Sequence, residues 1–272
     1  MIDIHCHILP SLDDGPKSME SSLAMAKMAF EDGTRTIVAT PHIREGFAIS
    51  TPEVIEEKVK EFRQALAEAD IEMDILPGAD VRVYPEMLTD PKGLHPYTLA
   101  KNGRYFLLEF ADEILPPGVK RLVEILTEAD ITPIVTHPER NFPLTRDPQT
   151  LYELVMAGAL VQVTARAVAG RDGPASARYI RLLMEHRMVH FIATDGHSVD
   201  NRPPILSEGV AAAREVLGLE ADRLVRENAQ AAIEGEDIDR VLPEPFGSPT
   251  GPPQGFPRPP GRGGWLRRLL GR

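Results

Sequence analysis

The 272-residue chain is 42% hydrophobic and 26% charged, with a formal charge of −11, proportions that fit a folded soluble enzyme and exclude a low-complexity chain. That acidity weighs against a general nucleic-acid binder, and no stretch approaches the roughly 20 apolar residues of a helical membrane span. A single cysteine forbids an internal disulfide, and acidic and histidine residues crowd the N-terminus where a leader would be basic and then apolar, so the expected location is the cytoplasm.

Seven β-rich runs follow in chain order: MIDIH at the start, TRTIVATPH (34–42), EMDILPGADVRV (72–83), RYFLLEF (104–110), ITPIVTHPER (131–140), ALVQVTA (159–165) and VHFIATDGH (189–197). Stretches such as SMESSLAMAKMAFEDG and TPEVIEEKVKEFRQALAEAD lie between them, with apolar residues spaced by three and four and capping residues at their starts. Two more helical patterns, PPILSEGVAAAREVLG and EADRLVRENAQAAIEG, close the body near residue 240. Strands rich in Val, Ile, Leu and Ala that alternate with helices imply parallel β/α units covered on both faces. Seven such units, with no glycine-rich phosphate loop after the first strand, fit a distorted (β/α)7 TIM-like barrel better than a doubly wound dinucleotide fold.

Residues 241–264 read as a Pro/Gly-rich linker, and 265–272, WLRRLLGR, as a basic amphipathic peptide suited to weak contact with an anionic membrane or a partner. From Val241 onward five arginines face one acid, Glu244, so the tail carries +4 and the body −15 of the total −11.

Six of the seven strands deliver a ligand-type side chain at the C-terminal end, the rim where β/α barrels build their chemistry. His5 and His7 project to one side of the first strand while Cys6 points away. The second strand ends in His42, the third runs into Asp80, the fourth ends in Glu109, the fifth in His137, and the seventh in Asp195 and His197; the sixth offers Gln162 and Thr164. Asp13 and Asp14 in the loop SLDDGPKS can each cap the next helix or fold back over the rim. His95, His186 and His190 lie elsewhere and read as loop or helix-surface residues. A cysteinyl-phosphate mechanism needs Cys-x5-Arg, but position 12 is Leu12, which leaves Cys6 as a buried spectator.

The segments DIHCHILPSLDDGPKS, TIVATPH, GAD, LLEF, ITPIVTHPER and ATDGHSVDNRPP together resemble the PHP (polymerase and histidinol phosphatase) superfamily, and more closely its bacterial tyrosine phosphatases of the CpsB/YwqE type. The resemblance spans residues 1–240. It implies a metal-dependent protein-tyrosine phosphatase with two or three divalent ions, manganese first and iron or zinc as alternatives. By the same resemblance the ligands are His5, His7, Asp14, His42, Asp80, Glu109, His137, Asp195 and His197, with Arg140 and Arg202 contacting the phosphate. Relatives usually carry Glu where Asp80 stands, and aspartate is one methylene shorter. The implied substrate is a phosphotyrosine protein, such as a tyrosine kinase of polysaccharide production. The competing readings are a phosphatase of a small ester such as histidinol phosphate, an amidohydrolase-type C–N hydrolase, and a metal-loaded scaffold without turnover.

Overall fold

The computed structural model describes residues 1–44 and 50–246. Nine parallel strands are present among them: β1 (Ile2–Cys6), β2 (Thr36–Ala39), β3 (His42–Ile43), β4 (Asp74–Pro77), β5 (Asp80–Arg82), β6 (Tyr105–Glu109), β7 (Thr132–Thr136), β8 (Leu160–Thr164) and β9 (Phe191–Ala193). They form two ladders, β1-β2-β4 and β3-β5-β6-β7-β8-β9. Two of the seven expected strands are therefore each split in two.

The splits have a local cause. Pro41 has no N–H to give a ladder, and Thr40 turns inward to donate its N–H to Cys6 O at 3.0 Å. Gly78 marks the matching break, because a Cβ there would stand 2.7 Å from Val38 Cγ1. The lower halves pair with β1 while the upper halves pair with β6. Seven staves remain, and the seam closes where Asp195 N donates to His5 O at 2.8 Å and His7 N to Gly196 O at 2.9 Å. This is the expected distorted barrel.

Inward-facing apolar side chains fill the lower barrel: Ile4, Val38, Leu107, Ile134, Leu160 and Phe191 are fully buried in one cluster. A second, larger cluster lies between the strands and the surrounding helices and includes Cys6, Ile37, Val135 and Val161. The period-two alternation of each strand then dictates what comes above the apolar layer. Two residues past Leu107 is Glu109, two past Ala193 is Asp195, and four past Val38 is His42. Strand β1 needs a correction to join them, since Ile4 already faces inward. A bulge between Asp3 and Cys6 inserts one residue against β2 and turns His5 and His7 to the interior.

The helices Met19–Glu31 and Pro52–Glu68 start on the Ser18 and Thr51 caps that the sequence signals. The expected single helix over EADRLVRENAQAAIEG is instead two, Glu220–Arg223 and Glu227–Glu234. The chain breaks there because Val225 O accepts a hydrogen bond from Ile2 N at 2.8 Å, which ties the segment under β1.

His186 and His190 are buried, against the expectation of a surface position. Both are held by backbone: His186 Nδ1 lies 2.9 Å from Glu244 O, and His190 Nδ1 accepts from Val161 N at 3.1 Å. The first residues past 240 also lie on the body, with Arg187 paired to Glu244 at 3.0 Å and the Phe246 ring 4.4 Å from that of His186. The remainder of the linker and the basic peptide 265–272 fall outside the described residues. No helix among the described residues is long and apolar enough to cross a membrane.

Candidate metal centre

All nine ligand-type residues come together at the rim. His5 Nε2 and His7 Nε2 face each other at 3.2 Å, and Asp195 Oδ1 lies 3.4 and 3.3 Å from them. Asp80 Oδ2 reaches between two imidazoles, 3.7 Å from His5 Nε2 and 3.1 Å from His42 Nδ1. Glu109 Oε2 stands 3.6 Å from the same His42 nitrogen. Asp14 Oδ1 bridges to His42 Nε2 at 3.5 Å and His197 Nε2 at 3.4 Å. The His137 ring closes the set, its centroid 5.7 Å from that of His5.

Three overlapping donor groups result: His7, Asp14, His42 and His197; His5, His7 and Asp80; and His42, Asp80 and Glu109, each with its ligand atoms within 4.8 Å of one another. Asp80 belongs to two of the three, so its shorter arm still spans the centre.

Burial makes these groups costly unless something charged joins them. Neither oxygen of the fully buried Asp80 accepts a hydrogen bond, and that burial pushes its carboxyl pKa up. His5 and His42 are pushed down to about 4 by burial. His7 behaves oppositely: burial disfavours its charge, but Asp13 and Asp195 outweigh that and push it up to about 10. Five imidazoles and four carboxylates carry a formal charge of about −4, and a mixed nitrogen and oxygen set of this kind fits divalent cations. The donor chemistry and the unpartnered Asp80 oxygens therefore fit a metal cluster.

Two of the nine ligand-type residues hold strained backbone. His137 has φ 31° and Asp195 φ 50°, a left-handed region that non-glycine residues rarely occupy. His137 directly follows its strand, and the departure from extended geometry turns inward a side chain that alternation alone would point away from the centre.

Around the donors stands a layer that sequence reading did not assign. Asp13 Oδ2 lies 2.6 Å from His7 Nδ1 and accepts from His42 N at 3.1 Å, which aims His7 Nε2 at the centre. Gln162 Oε1 does the same for His5 Nδ1 at 2.9 Å. The loop that carries Asp13 can pass so close only because residue 15 is glycine, as a Cβ there would sit 2.4 Å from His7 O. Glu109 is gripped by Arg82 through two bonds of 2.8 and 3.0 Å. Arg82 follows Asp80 by two residues and so shares its face, a signal present in the sequence. Buried Glu139 accepts from Thr164 N at 2.9 Å and from its hydroxyl at 2.7 Å, which fixes the turn between His137 and Arg140.

Arg140, from the loop after β7, and Arg202, from the loop after β9, both pair with Asp195 Oδ2. Arg44 adds a third guanidinium, 3.6 Å from Asp14 and 3.8 Å from Glu109. Cys6 is buried with its Sγ directed at Gly196 O, away from the donors. A cavity of about 660 Å³ opens at the opposite end of the barrel beside Thr36, Arg226 and Gln230, and none of the nine donors lines it.

Comparison with known proteins agrees with this geometry. Residues 1–234 match the family model described as capsular polysaccharide synthesis, CpsB/CapC. The tyrosine-protein phosphatase YwqE of Bacillus subtilis is 34% identical over 245 residues, covering 90% of this chain and 96% of that one. The tyrosine-protein phosphatase CpsB of Streptococcus agalactiae is 31% identical, covering 88% of this chain and 100% of its own. A solved structure from work on YwqE of Bacillus subtilis and CpsB of Streptococcus pneumoniae, described as unique metal-dependent tyrosine phosphatases, superposes with a TM-score of 0.84 at 34% identity, over 91% of this chain and 100% of that chain. With nearly its whole barrel matched, the chain belongs to the CpsB/CapC family of capsular polysaccharide synthesis.

Proposed function

We propose that the chain is a metal-dependent protein-tyrosine phosphatase that hydrolyses phosphotyrosine in proteins, with a tyrosine kinase of polysaccharide production as its natural substrate. The observation that carries this reading is the convergence of seven imidazole and carboxylate groups in three overlapping clusters beside Asp195, which two arginines grip, in a chain 34% identical to a tyrosine-protein phosphatase over 90% of its length.

His5, His7, Asp14, His42, Asp80, Glu109, His137, Asp195 and His197 would hold two or three divalent ions, with manganese favoured by the resemblance. Bound ions supply positive charge to the transferring phosphoryl oxygens and acidify the attacking water. The chain's own residues do the rest. Arg140 and Arg202 present planar forks that match two phosphate oxygens and fix the phosphoryl group for in-line attack. Asp13 and Gln162 hold the Nδ1 atoms of His7 and His5, so that both Nε2 atoms stay turned inward. Arg82 keeps Glu109 from swinging out of the cluster. A phenolate leaves with a pKa of about 10, so its departure needs less help from a proton donor than an alkoxide would.

Metal analysis of the purified protein, joined to turnover of a phosphotyrosyl peptide and of histidinol phosphate before and after chelation, tests the proposal. We expect two or three divalent ions per chain, activity on the peptide far above that on histidinol phosphate, and loss on chelation that manganese restores. Turnover that survives chelation, or a preference for histidinol phosphate, overturns it.

A further inference from the structure

The side of the rim that carries Arg140 also carries apolar surface. Phe142 is 56% exposed and Ile114 is 62% exposed, two of five large apolar side chains that stand open to solvent among the described residues. Phe142 opens the short helix Phe142–Arg146 after β7 and Ile114 lies in the loop after β6, yet the two segments form one unit. Asn141 Nδ2 donates to Ala111 O at 2.7 Å and to Ile114 O at 3.3 Å, and Phe142 N donates to Asp112 O at 2.6 Å. Leu88, 46% exposed, ends the short helical turn after β5, the strand next to β6. Single exposed apolar residues are ordinary; two on segments bonded to each other, one of them two residues from Arg140, are less so.

The geometry points to a role for this surface in substrate choice: we propose that Ile114 and Phe142 form a shelf that takes an apolar side chain flanking the phosphotyrosine of a peptide substrate. The inference rests on the phosphatase reading above. Arg140 sits two residues before Phe142 and points inward to Asp195, so a phosphate held by Arg140 brings the peptide's main chain out over the loop that presents Phe142. Asn141 fixes that loop from within, with both of its side-chain donor bonds and its Oδ1 bond from Leu144 N at 3.0 Å. The shelf is thus preorganised, and binding there costs little ordering. The guanidinium of Arg146, 5.2 Å from the Phe142 ring centroid, supports the ring from its own helix.

The test compares the wild-type protein with the double variant I114S/F142S on three substrates: a small aryl phosphate, a phosphotyrosyl peptide flanked by glycine, and one flanked by leucine. For the leucine-flanked peptide we expect KM to rise about tenfold, the effect of losing one well-packed apolar contact, with kcat nearly unchanged. The glycine-flanked peptide and the aryl phosphate keep their wild-type constants, which also shows that the variant is folded. Equal KM values for the leucine-flanked peptide in the two proteins, or an equal loss on all three substrates, overturn the inference. So does a change in sedimentation without a change in peptide KM, which assigns the shelf to self-association. A second measurement separates this idea from the phosphatase reading: calorimetric binding of a leucine-flanked peptide bearing a non-hydrolysable phosphonate on tyrosine. If the wild type turns over no phosphotyrosine, the phosphatase reading fails, and the shelf stands or falls on whether the double variant weakens phosphonate-peptide binding.

Discussion

The two ends of the barrel bury similar kinds of polar side chain and treat them in opposite ways. At the floor each buried group named here has a partner: Asn228 donates to His190 O at 2.9 Å, Tyr105 to Glu236 O at 2.7 Å, and His190 accepts from Val161 N at 3.1 Å. At the rim, imidazoles face imidazoles, carboxylates crowd at 3.1 to 3.7 Å, and Asp80 lacks a donor for either oxygen. The floor spends its polar groups on closing the chain, while the rim turns its imidazoles and carboxylates toward one another. The kind of partner separates the two sets of histidines: backbone holds His186 and His190, whereas His5 and His7 face each other and the Asp195 carboxylate.

The contrast can be broken most sharply at Asp195, which touches His5, His7, Arg140 and Arg202 together. Asp195→Ala should lower phosphotyrosyl-peptide turnover by roughly a thousandfold or more, because cation binding and arginine placement fail at once; steady-state kinetics with metal analysis reads both. Asp13→Asn keeps the shape but weakens the grip on His7, and metal affinity should fall about 10- to 100-fold, measured by competition with a chelating dye. The rim and floor should then diverge in stability. In chelator-treated protein Asp80→Asn should raise unfolding free energy by about 1–3 kcal/mol, as it removes a buried charge with no hydrogen-bond donor, whereas a floor substitution such as Asn228→Ala should lower it by a similar amount. Urea titration of the two variants checks the opposite signs.

The smallest effect at neutral pH concerns His190, whose pKa burial pushes down to about 3 from an ordinary value near 6.5. Above 6.5 the residue is neutral folded or unfolded and contributes nothing to pH dependence. Below it the unfolded chain binds a proton that the folded chain refuses, so stability falls by up to about 1.4 kcal/mol per pH unit until pH approaches 3. His190→Gln should flatten that part of the curve relative to wild type, and superimposable curves would contradict the assignment.

Much of the rim was legible because a barrel strand is a simple ruler. An apolar run fixes which face is inward, and His42, Glu109 and Asp195 each fall on that face at the end of such a run. Other features depend on pairing between distant strands and leave no local mark. The bulge that turns His5 and His7 inward exists only in register with β2, and the breaks at Pro41 and Gly78 exist because upper and lower barrel choose different neighbours. Asp13 and Asp14 are adjacent and alike in sequence, yet the first is buried against His7 while the second reaches His42 and His197. Arg82 could have been found from its spacing to Asp80. Glu139 gave no such signal, since its partner Thr164 lies on another strand.

The seam between β1 and β9 has a consequence for synthesis. His5 and His7 are made about 190 residues before their companions Asp195 and His197, and the backbone bonds from Asp195 N to His5 O and from His7 N to Gly196 O form only once those companions are present. Contacts this distant in sequence are slow to close. The donor group of His7, Asp14, His42 and His197 is therefore incomplete until the last stave is made, whereas the two groups that share Asp80 draw only on residues up to Glu109.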